Sequence, residues 1–304
     1  MAQQGWQKVT IASAPKAKIN AFLSAAEEEA DALVVFLNGL MLPARGWQAV
    51  LDGVTDRERF STRRLHALAY DRFGQGESDP DPEGGHTADV VVRQLRELLE
   101  QVALPAFFPG RSSIDECPII LVSNSIGGAT TRLYAAAYPL ARIEAVLFLD
   151  SIIASTDFVS IFSPAVEPEE EREDLAKARE VVQRIFHPSV PNAEKFDRTT
   201  LAGLLPLDDG PPLPSKPFVT VVGHDFDVFA RDSEEKLGTP VAITDKYMNR
   251  RWNEYNVGLT KLTTPDRARG PIIAQGADHF IQRARPDLVV DELAKLCARI
   301  TSLA

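Results

Sequence analysis

The sequence predicts an α/β protein with a mostly parallel central sheet, helices on both faces of the sheet and a helical cap insertion. Six short runs rich in apolar and β-branched residues recur along the 304-residue chain, and stretches with a helical period separate most of them. Strands that alternate with helices favour parallel pairing, because a parallel strand is reached through a crossover. Two intervals are too long for simple crossovers, and the first of them, residues 152–216, is the predicted cap.

The predicted elements follow one another in a simple order. The opening segment, residues 7–24, is typical of a hairpin that turns around Ala14 and Pro15. The predicted strands of the sheet are residues 33–37, 65–70, 118–123, 143–150, 217–223 and 270–275, and the clearest helices are residues 89–104, 126–138 and 286–300. The acidic run at 167–186 indicates a helix with a solvated face. The chain therefore divides into a predicted core, residues 1–151 and 217–304, and the predicted cap.

Composition argues against several classes of protein. The chain has 44% hydrophobic and 25% charged residues, as ordinary globular proteins do, and its formal net charge of −10 disfavours binding to nucleic acid or anionic membranes. There is no run of about 18 apolar residues, and the first ten residues lack the basic and apolar regions of a secretion signal, so we expect a cytoplasmic location. Cys117, Cys297 and the five histidines show no metal-ligand spacing, so no cofactor or metal is expected.

Ser125 lies where a predicted buried strand turns sharply into a helix. The stretch Ser123-Asn124-Ser125-Ile126-Gly127 has a small residue two positions before the serine and a glycine two positions after it. Small residues are needed there because the backbones of strand and helix nearly touch. The pattern is close to G-x-S-x-G, with Ser123 in place of the first glycine, and indicates a nucleophilic serine. An ordinary strand-to-helix turn and a phosphate cradle at a helix N-terminus are the alternatives.

Other residues with useful chemistry follow the ends of neighbouring strands. Ligands of such sheets bind in the crevice outside the carboxyl ends of the strands. His279 follows the strand at 270–275, Asp150 ends the strand at 143–150, and Asp225 follows the strand at 217–223. The sequence therefore predicts a serine, a histidine and carboxylates at one edge of the sheet.

Four motifs in order carry a resemblance to the α/β-hydrolase superfamily, from about Leu33 to the C-terminus. FLNGLMLPARGW resembles the oxyanion loop of that family, with Asn38 in place of the common histidine, and YDRFGQGESD resembles its Y-D-x-x-G-x-G-x-S-D loop. SNSIGG resembles the nucleophile elbow, and GADHFIQRARPDLVVDEL resembles the segment that carries the catalytic histidine. The resemblance implies the fold predicted above, in the form of a serine hydrolase with a cap.

The resemblance also implies roles for individual residues. Ser125 would be the nucleophile and His279 its general base, because a serine hydroxyl needs a base to react at neutral pH. The backbone N–H groups of Leu40 and Ile126 hold the positions that the family uses for the oxyanion hole. His224 is expected to be a loop histidine without a catalytic role. Asp71 and Arg72 are expected to anchor loops rather than to take part in the chemistry.

The acid of the triad has two candidate positions. In many relatives the acid follows the strand that here is residues 217–223, which offers Asp225 or Asp227, but Phe226 holds the usual place between them. In other relatives it ends the preceding strand, which here gives Asp150. We expect Asp150 to be the acid, with Asp225 as the alternative.

The predicted function is cleavage of a carboxylic ester, lactone or related acyl bond through an acyl-enzyme. The aromatic side chains of Phe158, Phe162, Phe186 and residues 247–259 would roof the serine, which suits a small, apolar and neutral substrate. A lyase of the same fold and a ligand receptor with slow turnover are the alternatives. A haloalkane dehalogenase is disfavoured, because that chemistry needs a carboxylate where Ser125 stands. The sequence does not indicate an oligomeric state.

Overall fold

An eight-stranded sheet organises the protein in the computed structural model, which describes residues 5–25, 30–55, 58–60 and 63–301. The strands are β1 (Gly5–Ile11), β2 (Ala14–Ser24), β3 (Ala32–Leu37), β4 (Leu65–Tyr70), β5 (His86–Thr87), β6 (Ile119–Asn124), β7 (Ile143–Leu149), β8 (Phe196–Asp197), β9 (Phe218–His224) and β10 (Ala268–Ala274). The order in the sheet is β1-β2-β4-β3-β6-β7-β9-β10, and β5 pairs separately with β8. β1, β2 and β4 are joined by antiparallel pairing, and every pairing from β4 to β10 is parallel.

The helices cover both faces of this sheet. They are α1 (Gln48–Val54), α2 (Ala88–Leu98), α3 (Leu104–Phe107), α4 (Ile126–Ala137), α5 (Arg172–Ile185), α6 (Leu201–Leu204), α7 (Phe226–Leu237), α8 (Val241–Ile243), α9 (Arg250–Thr260), α10 (Ile281–Ala284) and α11 (Pro286–Thr301). π-helical turns at Leu99–Ala103 and Thr244–Asn249 connect α2 to α3 and α8 to α9, and 3₁₀ turns lie at Ala44–Trp47, Ile114–Glu116, Ser160–Phe162 and Glu169–Glu171.

The central strands are apolar throughout because both of their faces are buried. Along β3, Val35 lies in a cluster with residues of α2 and α4, whereas Val34 and Phe36 lie in a second cluster with residues of α1 and α11. β6 alternates in the same way, with Leu121 in the first cluster and Val122 in the second. Alternate side chains of one strand thus enter two hydrophobic cores, which explains a run of apolar residues without a polar face.

The order of the strands decides where the site forms. The chain passes from β3 to β4 on one side and later places β6 on the other side of β3, so the connections diverge between β3 and β6. In register, Leu37 of β3 lies opposite Ser123 of β6. The segments that follow these strands therefore begin side by side at the carboxyl edge, where sheets of this kind bind ligands.

The predicted fold class is confirmed, and the six predicted strands of the sheet match the observed ones to within two residues at each end. The opening hairpin turns at Ala12 and Ser13 rather than around Ala14 and Pro15. The reason is tertiary, because the amides of Ala12 and Ser13 donate hydrogen bonds of 2.8 Å to the side chains of Gln101 and Glu97. The predicted helix 89–104 is divided among α2, a π-helical turn and α3.

The insertion between β7 and β9 contains α5, β8 and α6. Its strand β8 pairs in parallel with β5, which belongs to the segment between β4 and α2, so the insertion is hydrogen-bonded to the core. The bounds 152–216 for the cap stay a prediction. Among the helices of the described residues, none is long and apolar enough to cross a membrane.

Candidate active site

Ser125 lies between the end of β6 and the start of α4 in a strained conformation. Its φ of 54° and ψ of −125° are unusual for any residue with a side chain. Three backbone hydrogen bonds hold it there: its amide donates to the Leu149 carbonyl at 3.2 Å, and its carbonyl accepts from Gly128 and Ile152 at 2.9 and 3.1 Å. Strain that is held so firmly is common at functional sites, and here it presents the serine at the carboxyl edge of the sheet.

The glycines after Ser125 are needed for close packing. A Cβ added at Gly127 would collide with the Leu37 carbonyl oxygen of β3, and a Cβ at Gly128 would collide with Ser151 Oγ. Helix α4 thus begins directly against β3 and the segment after β7. Ser123 is fully buried in β6, so its hydroxymethyl group fits where the family motif has glycine.

His279 and Asp150 meet beside the serine segment. His279 Nδ1 lies 2.5 Å from Asp150 Oδ2, although the two residues are 129 positions apart. The Asn124 side chain, next to Ser125, donates to the His279 carbonyl at 3.1 Å and so ties the histidine segment to the elbow. The Ser125 hydroxyl itself makes no hydrogen bond to His279 or to any other described residue.

Asp150 is fully buried at the end of β7 and accepts hydrogen bonds from two histidines. Its Oδ1 lies 2.9 Å from His224 Nδ1 and 3.3 Å from the His224 amide, while Oδ2 faces His279. Burial by itself raises the pKa of this carboxyl, but attraction to His224 and hydrogen bonds from both histidines outweigh burial and lower the pKa to about 2. Asp150 is therefore a carboxylate over the whole physiological range.

His224 corrects one expectation. It is the last residue of β9, not part of a loop, and it is fully buried with its ring against Asp150. From the sequence it is expected to be a loop histidine because it directly precedes Asp225, the alternative acid, after the predicted strand. The signal was nonetheless present, because a histidine that ends an apolar β-branched strand lies at the same edge as Ser125 and Asp150.

Asp225 caps helix α7 and does not contact His279. Its carboxylate accepts hydrogen bonds from the amides of Asp227, Val228 and Gly276 at 3.1, 3.4 and 2.9 Å. The bond from the Gly276 amide is the main cause of a lowered pKa of Asp225. Asp227 is exposed on the first turn of α7. An aspartate just before a helical run is a common N-cap, and that local pattern is sufficient to explain Asp225.

The two amides predicted for the oxyanion hole belong to Ile126, which follows Ser125, and to Leu40, in the loop after β3. Among the described residues, none accepts a hydrogen bond from the amide of Ile126 or Leu40. A Cβ on Gly39 would lie 3.3 Å from Ser125 Cβ, so the loop after β3 passes directly over the serine. The Gly39 carbonyl accepts from Arg72 Nη2 at 2.8 Å and from Gln75 Nε2 at 2.9 Å. In a trans peptide the following N–H points the opposite way, so the Leu40 N–H points away from Arg72.

A buried ion pair holds this loop in place. Arg72 also donates to the Asn38 carbonyl at 2.9 Å, and its Nε lies 2.9 Å from Glu194 Oε2. Glu194 accepts a hydrogen bond from the Met41 amide as well. The expectation that Arg72 anchors a loop agrees with these contacts, whereas sequence reasoning missed Glu194, which lies in the insertion far along the chain.

Asn38, which stands where the family often has histidine, serves the same loop. Its Nδ2 donates to the Tyr70 carbonyl at 2.7 Å and to Gln75 Oε1 at 2.8 Å, and its Oδ1 accepts from Trp47 Nε1 at 2.8 Å. Both polar atoms of the side chain are therefore engaged in joining the segments after β3 and β4, which gives Asn38 a structural role in the loop.

Aromatic side chains of the insertion and of α9 cover the histidine. The Trp252 ring lies 5.3 Å from His279 and 6.2 Å from Phe158, and Phe158 lies 6.2 Å from Phe186. A small cavity is lined by Ile152, Ile153, Ala154, Thr156, Phe158, Phe186, Pro188, Arg198, Leu201 and Ala202. It borders the apolar cluster that contains Ile126, through Ile152 and Leu201.

A larger, open groove lies apart from Ser125 and His279. Its volume is about 410 Å³, and Ser155, Asp208 and Arg251 are among its lining residues. The charged groups of this groove pair with each other, as Arg251 does with Asp208 at 2.7 Å, so it offers little unsatisfied polarity. Within the part of the chain that the structure describes, no three His, Cys, Asp or Glu side chains are grouped to hold a metal ion.

Known proteins share this architecture. A lipase candidate (lip1) from Acinetobacter baumannii AYE is 14% identical with a TM-score of 0.59, and the match covers 98% of this chain and 92% of the other. The protein DBJA is 17% identical with a TM-score of 0.59 over 97% of this chain and 99% of its own. A thermophilic esterase from Thermogutta terrifontis is 16% identical with a TM-score of 0.57, over 99% and 100% of the two chains. At such identities these likenesses establish the fold.

The family follows from the sequence match. No curated protein matches the chain. Residues 34–292 match the model described as the alpha/beta hydrolase family, and that range includes the elbow, His224, His279 and the oxyanion loop. The chain therefore belongs to the alpha/beta hydrolase family.

Proposed function

We propose that the protein is a serine hydrolase that cleaves a carboxylic ester, lactone or related acyl bond of a small, largely apolar molecule through an acyl-enzyme on Ser125. The observation that carries the proposal is the strained serine, with two unpaired amides beside it and a histidine–carboxylate pair tied to the same elbow. These are the parts that acyl transfer requires: a nucleophile, a base, an orienting carboxylate and donors for the oxyanion.

The roles of the side chains follow from this arrangement. Ser125 Oγ attacks the acyl carbon while His279 Nε2 takes the hydroxyl proton, and the resulting oxyanion lies between the amides of Ile126 and Leu40. The alcohol leaves with the proton from His279, and a water molecule activated by the same histidine then releases the acid. Asp150 holds Nδ1–H of His279 in the productive tautomer throughout. The hydrogen bond from Ser125 to His279 forms with substrate bound, as is common for catalytic hydrogen bonds.

The surroundings of the serine support an apolar substrate. Phe158, Trp252 and Ile152 are mainly buried side chains on the segments that adjoin His279 and Ile126. A small acyl group gains free energy from contact with such a surface, whereas a sugar or a nucleotide would leave its polar groups unpaired.

A fluorophosphonate probe tests the proposal. Intact-mass measurement should show one adduct, peptide mapping should place it on Ser125, and Ser125→Ala should abolish both labelling and turnover of aryl esters and lactones. Ser155→Ala, outside the site, is the control and should label at the wild-type rate. A folded wild-type protein that takes up no probe, or takes it up elsewhere, would refute the nucleophile. Labelling of Ser125 without multiple turnover of any ester or lactone would contradict the hydrolase and favour a receptor.

A further inference from the structure

The carboxylate of Asp150 is shared by two histidines, of which the proposed mechanism uses one. Oδ2 faces His279, whose side chain is 21% exposed, and Oδ1 faces His224, whose side chain is completely buried. A triad needs a single histidine on its carboxylate. The second ring is therefore a feature of this protein that the acyl-transfer reaction by itself does not explain.

The orientation of Asn249 fixes what His224 donates. Asn249 Nδ2 lies 3.0 Å from the Phe226 carbonyl oxygen and 3.2 Å from Asp245 Oδ1, both of which are acceptors. Its Oδ1 therefore faces His224 Nε2, at 3.0 Å. Turning the amide over would set its oxygen against two other acceptors, so the orientation shown is the only one with matched hydrogen bonds.

Both ring nitrogens of His224 thus face acceptors, a carboxylate oxygen at Nδ1 and an amide oxygen at Nε2. A neutral imidazole carries one N–H and would leave one of these contacts as a repulsion between lone pairs, whereas an imidazolium donates to both. Aromatic rings also surround His224: Phe229 is stacked on it at 4.2 Å, and Phe226 and Trp252 lie in T-shaped arrangements with it at 5.6 and 5.4 Å. The stacked face of Phe229 stabilises a cation.

We infer that His224 is a positioning residue that is protonated at neutral pH, an imidazolium ion-paired with Asp150, which holds the triad carboxylate in place and weakens its electrostatic pull on His279. The protonation state of His224 is independent of the reaction, whereas its effect on catalysis rests on the proposed function.

The charged groups around His224 agree with a cation. Asp150 faces it from β7, Asp225 lies beside it at the start of α7, Asp245 lies behind Asn249, and His279 shares Asp150 from the far side. Burial alone would lower the pKa of His224, but attraction to Asp150 and the hydrogen bonds of both ring nitrogens outweigh burial and raise the pKa above its ordinary value.

The consequence for catalysis is a smaller net charge beside the base. In an ordinary triad the unbalanced carboxylate favours the protonated form of the catalytic histidine, which cannot accept the serine proton. A cation on the far side of Asp150 offsets part of that charge. Removing the cation should shift the acid limb of the pH–rate profile to higher pH.

The protonation state can be measured without any substrate. Nitrogen-detected NMR of protein with labelled histidine should show both ring nitrogens of His224 protonated at pH 7, and His224→Gln assigns the signals by their loss. Asn249→Leu removes one of the two acceptors, so His224 should then lose its proton at a lower pH than in the wild type. A wild-type spectrum in which one His224 nitrogen is unprotonated at pH 7 would overturn the inference, whatever the activity of the protein.

The pH dependence of labelling tests the effect on His279. In His224→Gln the acid limb of the fluorophosphonate labelling rate should move to higher pH by about one unit. A shift of that size is expected when one neighbouring charge is lost. Phe229→Leu alters packing on the same ring but keeps His224 and Asp150, so it should move the limb much less than His224→Gln does. If His224→Gln lowers the labelling rate equally at every pH and leaves the acid limb in place, His224 acts through packing alone and the inference is wrong.

The protonation state of His224 and the reactivity of Ser125 are measured independently of each other. If Ser125 is not labelled, the hydrolase fails while the NMR result still decides the state of His224. If His224→Gln does not fold, the wild-type spectrum and Asn249→Leu carry the test, because Asn249→Leu keeps both histidines and Asp150.

Discussion

Arg72 and Glu194 form a buried ion pair across 122 positions of sequence, with Arg72 Nε 2.9 Å from Glu194 Oε2. The same guanidinium donates to the carbonyls of Asn38 and Gly39, and the same carboxylate accepts from the Met41 amide. The loop that carries the Leu40 amide is therefore held from both sides, by the core through Arg72 and by the insertion through Glu194. The orientation of one proposed oxyanion donor depends on the packing of the insertion.

We expect Glu194→Gln to lower the chemical step and the stability together. Removing one charge of a buried pair leaves the other uncompensated, which lowers the free energy of unfolding by about 3 kcal/mol. The loop that carries Leu40 also loses its support. The measurements are urea unfolding and the split of kcat from KM, with the loss expected mainly in kcat. Glu77→Gln breaks the exposed pair with Arg45 and is the control, with little change expected in stability or kcat, because solvent screens an exposed ion pair. Equal effects of the two changes would contradict the role given to Glu194.

The triad acid can be tested with amide analogues that keep the shape of the side chain. Asp150→Asn should lower the single-turnover acylation rate by about four decades, since the amide presents the wrong hydrogen-bonding partner to His279. Asp225→Asn should cost far less, because Asp225 caps α7. The two variants are compared at matched folded fraction. A near wild-type rate for Asp150→Asn beside a collapsed rate for Asp225→Asn would reverse the assignment.

Gly127 gives a test of the elbow that does not depend on activity. Gly127→Ala should destabilise the protein by at least about 1–3 kcal/mol in urea unfolding, because the new methyl group meets the Leu37 carbonyl and neither backbone can retreat. Gly203→Ala in α6 is the matched control, because open space surrounds the added Cβ. We expect it to raise the free energy of unfolding by less than about 1 kcal/mol. Similar stabilities for the two variants would refute the close approach of α4 to β3.

The pair of His224 with Asp150 predicts a stability that depends on pH. A group whose pKa is raised by folding contributes stability fully below its unfolded value, about 6.5 for histidine, and loses it as the pH rises through the folded-state pKa. The free-energy advantage of wild type over His224→Gln should therefore be largest near pH 6 and shrink toward pH 9. Urea unfolding at several pH values measures it, with His187→Gln as the baseline. If the stability advantage of wild type over His224→Gln grew with pH, the predicted direction would be wrong.

The sequence by itself determined the parts that depend on neighbours along the chain. Apolar β-branched runs marked the strands, because a strand buried on both faces cannot carry polar residues. The elbow was also readable, because the tight turn at Ser125 is imposed by small residues within two positions of it. The cap of α7 at Asp225 was equally local, although its position after a strand drew attention to it as an acid.

Tertiary structure alone decided the partners within the site. Asp150 rather than Asp225 lies against His279 because the register of β7 beside β6 and β9 brings its end to the elbow, and register is a property of the sheet rather than of any one strand. His224 became part of the site for the same reason, since β9 is the next strand of the sheet. Glu194 reached Arg72 only through the folding of the insertion. Charged groups that are far apart in the sequence interact according to their distance in the folded protein. That distance is fixed only when the strands pair.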